Sequence, residues 1–192
     1  EAHATNELAG TYRGLPISIV ELKLMSAEEK KKDEAVFDGL LIDIDLKRDT
    51  GATTSVVSDA GAFGNLRDRL DASGRQRVKL EDVEFERIYE VYSTDQIAAR
   101  ALLHPALMER LLKLGQRGDF GRPVMLCMGS RLTVAAPKVD SRALFEPPGF
   151  TKPAANRETL LRLRGDIEAS LGLADALAVT GRGPLGRSNL GD

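Results

Sequence analysis

Alternating apolar and polar residues predict β-strands along much of the chain. The clearest case is residues 36–47, where Leu40, Ile42 and Ile44 share one face and mostly polar residues share the other. A period of two is what an extended strand imposes on its side chains. The same pattern, or a run of β-branched residues, predicts further strands at residues 15–25, 53–57, 76–80, 89–92, 124–128 and 132–136.

Local signals predict how these strands bend and connect. The apolar phase of the first strand changes between Ile19 and Val20, which predicts a β-bulge there. Residues 49–51 form a turn sequence, so we expect residues 53–57 to return beside the preceding strand. Gly129-Ser130 lies between two strands and fits a two-residue type II′ hairpin turn.

Capping signals and helical spacing predict the helices. Ser93 and Gln96 have the spacing of a capping box, so a helix is expected to start at Thr94. Pro105 suits a first helical turn and predicts a second helix at residues 105–114. A short helix is also expected at residues 63–70.

The longest predicted helix follows the N-cap residue Asn156 and ends near residue 178. Its expected inward stripe consists of Leu160, Leu163, Ile167, Leu171, Ala174 and Leu177. Gly165 and Gly172 should each weaken the helix by about 1 kcal/mol relative to alanine, so the helix must be held by packing.

These elements predict an α+β domain. A mainly antiparallel, strongly bent sheet of about seven strands should carry the helices on one face, because short loops join the strands and no regular βαβ alternation occurs. A chain of 192 residues, 42% of them hydrophobic, can form one domain core. We expect residues 1–10 to be a linker remnant, residues 11–178 to be the domain, and residues 179–192 to be a flexible tail.

Charge and cysteine content argue against several classes of function. A net charge of -2, with the two signs interspersed along the chain, provides no field that would attract nucleic acid, so no nucleic-acid partner is expected. The single Cys127 cannot form an internal disulfide and is expected to be buried in a reducing compartment. The two histidines are far apart and provide no zinc-ligand spacing, so no metal or other cofactor is expected.

Two motifs that suggest catalysis lack the surroundings they need. Residues 49–52 match the nucleophile loop of aspartic proteases, which would need a homodimer to supply a second carboxylate. Lys47 and Arg48 precede this loop where those proteases have apolar residues. Residues 181–186 match the dinucleotide-binding glycine pattern but follow a helix instead of joining a strand to a helix. A turn and a flexible tail explain the two motifs.

An acidic corner supplies the candidates for a functional site. Four acids within residues 81–86 could share a divalent ion, although the basic residues on either side favour a solvated charged surface. The full set of candidate surface-site residues is Glu81, Asp82, Glu84, Glu86, Tyr92, Asp95 and Arg100. Asp43 with Asp45, and His104, are weaker candidates because no partner residues accompany them.

The segment around this corner carries residues that match a known family. They are Glu81-Asp82, Glu84-Phe85-Glu86, Val91-Tyr92-Ser93, Asp95-Gln96, Ala99-Arg100, Leu103, Pro105, Met108-Glu109-Arg110-Leu111 and Phe145-Glu146-Pro147, with Phe37 and Gly39-Leu40 earlier. In these residues the chain resembles a bacterial family classified as a domain of unknown function, DUF3137, over roughly residues 12–177. Members of that family typically carry two membrane-spanning helices upstream. The resemblance therefore implies that this chain is the soluble C-terminal domain of a membrane-anchored protein, placed on the cytoplasmic side.

The chain also departs from the family pattern. Val83 stands where relatives often have proline, Ala98 and Ala101 where many have glutamate and an aromatic residue, and His104 where a threonine usually caps the second helix. The family offers no catalytic residues that could be carried over to this chain.

The expected function is a protein-interaction or sensory module, because nothing in the chain assembles a nucleophile, a base and an oxyanion site. Its partner would be another protein, and the membrane would be reached through upstream helices that this chain lacks. Two alternatives remain open. One is a hydrolase that uses acidic residues, with a metal or as a dimeric aspartyl pair, and the other is a lipid- or metabolite-binding module.

Overall fold

The computed structural model of the protein describes residues 2–26, 35–58, 74–139 and 157–180. The strands in these ranges are β1 (Ala2–Tyr12), β2 (Leu15–Met25), β3 (Ala35–Asp45), β4 (Thr53–Ser58), β5 (Gln76–Val78), β6 (Tyr89–Ser93), β7 (Val124–Met128) and β8 (Arg131–Pro137). They form one eight-stranded sheet in the order β1-β2-β3-β8-β7-β4-β6-β5, with antiparallel neighbours throughout. The predicted α+β fold with a mainly antiparallel sheet is confirmed in outline, with eight strands instead of about seven.

The described ranges also contain four helices. They are α1 (Val83–Ile88), α2 (Gln96–Leu102), α3 (Pro105–Gly115) and α4 (Arg157–Thr180). Residues 179 and 180 belong to α4, so the helix extends two residues into the predicted tail. The predicted helix at residues 63–70, the N-cap Asn156 and the rest of the tail lie outside the described residues.

β1 occupies residues that were predicted to be a linker. Residues 2–11 are all exposed, so neither face shows the apolar alternation that identifies a half-buried strand. The strand is nevertheless paired with β2 along its whole length. The linker prediction is therefore wrong for residues 2–10, because their order comes from backbone hydrogen bonding rather than from side-chain burial.

The bulge predicted between Ile19 and Val20 is also wrong. β2 pairs with β3 in unbroken register across these two residues. Ile17, Ile19 and Glu21 lie on a single buried face. The polar Glu21 interrupts the apolar pattern of that face, which suggested a change of phase that the strand does not make. The register shift lies in β1 instead, where Asn6 is the extra residue and has a φ of 52°.

Glu21 is buried in the sheet because a lysine reaches it. Lys138 Nζ lies 2.7 Å from Glu21 Oε1, and both side chains are only 6% exposed. The same ammonium lies 2.9 Å from Asp38 Oδ1, and the Asn6 side-chain amide donates to Glu21 Oε2 at 3.3 Å. Burial alone would lower the pKa of Lys138, but its hydrogen bonds to the two carboxylates and their charges hold that pKa above its ordinary value. This buried ion cluster connects β1, β2, β3 and the residue that follows β8.

The connection after β3 is not the hairpin that was predicted. β8 and β7 lie between β3 and β4 in the sheet, so residues 46–52 carry the chain past two strands. The connection is fixed to the β7–β8 turn, where the N–H groups of Leu46 and Thr50 donate to the carbonyls of Ser130 and Gly129. Gly129 has a φ of 60°, as the predicted type II′ turn requires.

The main core lies between one face of the sheet and the helices. One row of buried residues crosses five strands and consists of Ile42, Val134, Met125, Val56 and Val91. Phe85 of α1, Leu111 of α3 and Leu173 of α4 belong to the same cluster. Cys127 is buried there as well, as predicted.

Two glycines let α4 pack closely against α3 and the residues that follow it. A Cβ at Gly165 would lie 3.2 Å from Arg117 Nη2, and one at Gly172 would lie 3.2 Å from Arg110 Nη1. The two contacts are two helical turns apart on each partner and run in opposite directions, so the helices are antiparallel. Arg117 is fixed in place, since it donates to the Gly165 carbonyl at 2.7 Å and to the buried Asp166 carboxylate at 2.6 Å. These contacts supply the packing that the glycines require.

The packed face of α4 differs from the predicted stripe. Ala174 and Leu177 are buried as expected, but Leu160 is 53% exposed. The packed face also includes Asp166 and Ser170. Polar residues carry no apolar signal, so the packed face is rotated from the stripe that hydrophobic spacing predicted and overlaps it only in part.

The glycine contacts predict different outcomes for two matched substitutions. Gly172→Ala should be neutral or stabilise by up to about 1 kcal/mol, because alanine favours the helix and the exposed Arg110 can move aside. Gly165→Ala should destabilise, because Arg117 cannot move without breaking its bonds to Asp166 and the Gly165 carbonyl. Urea unfolding of the two variants measures the difference, and the reverse order of stability would contradict this account of the packing.

The buried ion cluster predicts a large cost for removing its cation. Lys138→Met should lower the free energy of unfolding by about 3 to 5 kcal/mol, because the buried Glu21 would lose its compensating charge. The matched control is Lys113→Met, which breaks an exposed ion pair with Glu109 and should cost no more than about 1 kcal/mol. Adding Glu21→Gln to Lys138→Met should recover part of the loss. Equal costs for the two lysine variants would contradict the assignment.

Candidate functional site

Two candidate acids of the corner support the first turn of α1. Asp82 is its N-cap, and Asp82 Oδ1 accepts from the N–H of Phe85 at 2.9 Å. Glu86 Oε1 accepts from the N–H of Leu80 at 2.6 Å and so holds the residues that lead into the helix. Both carboxylates are therefore used in local structure.

Asp95, and not the predicted Ser93–Gln96 box, caps α2. Asp95 Oδ1 accepts from the N–H groups two and three residues later, at 2.7 and 2.9 Å, and α2 begins at Gln96 instead of Thr94. Ser93 is buried at the end of β6, where its hydroxyl donates to the Asp95 carbonyl and forms a 2.9 Å hydrogen bond with Thr54. Its hydroxyl thus connects β6 to β4 and to the capping residue.

The remaining candidates tie neighbouring elements together. The Tyr92 hydroxyl donates to Glu90 Oε2 at 2.8 Å, and Arg77 of β5 lies 3.3 Å from the other oxygen of Glu90. Arg100 on α2 donates to the carbonyl of Lys79 at 3.2 Å. These contacts hold α2 and β5 beside β6.

The corner presents mixed chemistry to solvent. Glu81 and Glu84 are exposed, as are Val83 and Ile97, at 82% and 80%. In the part of the chain that the structure describes, no three histidine, cysteine or acidic side chains come together to hold a metal ion. The structure brings the predicted residues into one region but gives three of the acids structural tasks.

The protease-like loop lies in an exposed turn. Asp49 Oδ1 accepts from the N–H of Gly51 at 2.7 Å, and Gly51 has a φ of 72°. The Thr50 hydroxyl donates to the Gly129 carbonyl at 2.9 Å. The carboxylate and the hydroxyl therefore stabilise the loop and its contact with the β7–β8 turn.

Asp43 and Asp45 have separate partners. Asp43 accepts from the Thr133 hydroxyl, and Arg131 Nε lies 3.7 Å away from its carboxylate. Asp45 accepts from the N–H of Lys47 at 2.8 Å. The two carboxylates stabilise the local strand and turn structure.

His104 is an N-cap residue without a capping bond. It precedes Pro105 at the start of α3, and its side chain makes no hydrogen bond to the helix. Its Nε2 atom is buried and has no hydrogen-bond partner among the described residues. Burial lowers the pKa of His104, and a hydrogen bond to the backbone of Ala176 on α4 partly offsets this shift. Burial therefore favours the neutral form of the imidazole.

Among the residues that the structure describes, β1 forms an open edge of the sheet that sequence reasoning missed. It ends the sheet, with β2 as its neighbour on one side. Tyr12 and Leu15 close the β1–β2 hairpin. Because hydrogen-bonded and non-bonded pairs alternate from that closing pair, the N–H and C=O groups of Thr11, Ala9 and Glu7 point away from β2. The sequence signal was the two-residue turn, where Arg13 and Gly14 have φ of 53° and 81°, as in a type I′ hairpin.

This edge is held firmly at its tip and near its middle. The Tyr12 hydroxyl and Arg13 Nε donate to the two oxygens of Asp175 on α4, at 3.3 and 3.0 Å. Farther along the strand, Asn6 donates to the buried Glu21. The strand is therefore fixed to the rest of the domain.

The capping contacts predict a contrast between two acids of the corner. Asp95→Ala should lower the free energy of unfolding by about 1 kcal/mol, because two N–H groups at the start of α2 lose their acceptor. Glu84→Gln should change it by less than about 0.5 kcal/mol, since Glu84 is exposed. Chemical denaturation measures both values. A larger loss of unfolding free energy from Glu84→Gln than from Asp95→Ala would mean that the exposed acids stabilise the corner more than the capping acid does.

His104 predicts a loss of stability in acid. Below its ordinary pKa of 6.5 the unfolded chain takes up a proton that the folded protein resists, so the free energy of unfolding should fall between about pH 7.5 and pH 5.5. The contribution of this residue cannot exceed about 1.4 kcal/mol per pH unit.

Two substitutions separate titration from capping at this position. His104→Gln should flatten the pH dependence, and His104→Thr should flatten it and also add about 1 kcal/mol by capping α3. Thermal unfolding across the pH range measures both. An unchanged slope in both variants would show that other groups cause the acid sensitivity.

One solved structure shows a weak overall likeness to this chain. A crystal structure of the mycobacterial trehalose monomycolate transport factor A, TtfA, is similar at 15% identity with a TM-score of 0.44, covering 91% of this chain and 72% of that chain. A likeness of that strength supports no conclusion about function. No curated protein with significant similarity was found.

The family model described as a protein of unknown function (DUF3137) matches residues 35–179. The match runs from the start of β3 almost to the end of α4 and confirms the family resemblance. Among the described residues, no helix is long and apolar enough to cross a membrane. The chain belongs to the DUF3137 family.

Proposed function

We propose that this domain is a protein-interaction module that binds an extended segment of a partner protein along the outer edge of β1. The observation that carries the proposal is the eleven-residue edge strand, whose residues 2–11 are all exposed. Unpaired N–H and C=O groups on such an edge can pair with a strand of another chain.

The half of β1 next to the hairpin turn is the better docking segment. The bulge at Asn6 interrupts the regular spacing of the edge, because a bulge bends and twists its strand. From Glu7 to Thr11 the spacing is regular, and the apolar side chain of Leu8 is 42% exposed. A partner strand would bond to the outward backbone groups and pack an apolar side chain on Leu8.

The edge is already ordered before any partner arrives. Asp175 holds the hairpin tip through Tyr12 and Arg13, and the buried ion cluster holds Asn6. Binding therefore does not have to order β1, which reduces the entropic cost of association.

The acidic corner supports an interaction surface less well. Asp82, Glu86 and Asp95 are occupied with backbone N–H groups, so they are not available to a ligand without loss of local structure. No contact among the described residues favours the hydrolase or a pocket that encloses a lipid or metabolite. From the family resemblance, we also propose that upstream helices anchor the module to a membrane, with the module on its cytoplasmic side.

Strand addition can be tested with peptides selected on the intact chain. Random peptides of about ten residues, long enough to pair along the edge, would be displayed, selected and measured for affinity by fluorescence polarisation. Ala9→Pro removes an outward N–H group that β2 does not use, so β1 should stay paired while partner binding weakens about tenfold or more. A melting temperature close to that of the unchanged protein would verify the fold.

The matched control is Ile97→Gln, which removes an exposed apolar side chain at the corner. It should bind the selected peptides as the unchanged protein does. Peptides that tolerate Ala9→Pro but lose affinity for Ile97→Gln would place binding at the corner. A selection that yields no specific peptide would also count against the proposal.

A further inference from the structure

The N-terminal end of α4 exposes two adjacent leucines. Leu160 and Leu161 are 53% and 54% exposed. At 3.6 residues per turn they lie on the side of α4 away from Asp166 and Leu173, which are buried. Packing among the described residues therefore does not account for these apolar side chains.

This end of the helix extends past the α3 contact. α3 ends at Gly115, and Arg117, just beyond it, meets α4 at Gly165. Because the two helices are antiparallel, residues 157–164 continue for about two turns beyond that contact.

The charge of the extension is opposite to that of the whole chain. Residues 157–164 contain three arginines and one glutamate, whereas the complete chain has a net charge of -2. Arg157 is exposed, and the exposed Arg164 forms an i,i+4 ion pair with Glu168 at 2.7 Å. Exposed leucines with neighbouring arginines are the composition of helices that lie at the surface of anionic membranes.

We propose that the N-terminal end of α4 docks on an anionic phospholipid surface. Leu160 and Leu161 enter the boundary between headgroups and acyl chains, where their apolar area leaves water. The exposed Arg157 contacts the lipid phosphates, and screening by salt weakens this part of the interaction.

Vesicle sedimentation with the full chain tests the proposal. The probes are vesicles of phosphatidylcholine alone and vesicles in which one quarter of the lipid is phosphatidylglycerol. The chain should sediment with the anionic vesicles only, and several-fold more weakly when the salt is raised from about 0.1 M to about 0.5 M. The double substitution Leu160→Gln with Leu161→Gln should reduce binding about tenfold or more.

The matched control is Val83→Gln with Ile97→Gln, which removes two aliphatic and still more exposed side chains elsewhere. This variant should bind anionic vesicles as the unchanged chain does, and both double variants should keep its melting temperature. If the chain bound neither kind of vesicle, as expected if the leucines contact a protein instead, the proposal would be overturned. Equal binding to neutral vesicles, or full binding by the leucine variant, would overturn it as well.

Discussion

The open end of the sheet depends on one buried lysine. Glu21 occupies a position where the alternation of β2 calls for an apolar residue, and it can do so because the Lys138 ammonium lies 2.7 Å from its carboxylate. Lys138 also pairs with Asp38 of β3, so the cluster joins a residue that follows β8 to two strands from much earlier in the sequence. Without the cation, two carboxylates would face each other at the edge of the core. Removing one member of such a buried ion cluster leaves a charge uncompensated, which makes the arrangement hard to replace.

The same cluster determines the form of β1. Asn6 turns into a positive φ, and its amide reaches Glu21. Asparagine tolerates this backbone conformation better than most residues, which makes it suited to the bulge. The bulge divides the exposed edge into two halves, and only the half next to the hairpin keeps regular spacing. The proposed binding surface is therefore shaped by a contact on the inner side of the strand.

α4 connects the two surfaces for which functions are proposed. Its C-terminal half packs on α3 through Gly172 and holds the β1–β2 turn through Asp175. Its N-terminal end carries the exposed leucines beyond Gly165. The family match covers α4 but begins at β3, so β1 and β2 precede the matched residues. The β1 edge thus lies outside the matched part of the chain, while the leucine pair lies within it.

Sequence patterns predicted the strands that have one apolar and one polar face, such as β3, and the helix that begins at Pro105. They failed where order comes from other interactions. β1 has no buried face, so only backbone pairing reveals it. Glu21 broke the alternation because its partner is 117 residues away and has no local signature. Ser93 and Asp95 are both good capping residues, and only the backbone positions decide which one is used.

The candidate site was predicted only in part. Proximity in sequence brought the acids of the corner together, and the family resemblance was correct. The roles of these acids could not be predicted from residue type, because an acidic residue that caps a helix and one that binds a ligand look the same in the sequence. The packed face of α4 was missed for a related reason, since Asp166 is buried through its partner Arg117 and contributes no apolar signal.

Amide hydrogen exchange of β1, measured by nuclear magnetic resonance on the full chain, can show whether β1 is an ordered strand with an open outer edge. We expect slow exchange at Leu8, Gly10 and Tyr12, whose N–H groups face β2, and fast exchange at Glu7, Ala9 and Thr11, whose N–H groups face solvent. Fast exchange at all six would show that β1 is not stably paired. Slow exchange at all six would show that its outer edge is already covered. Either result would contradict an ordered strand with an open edge.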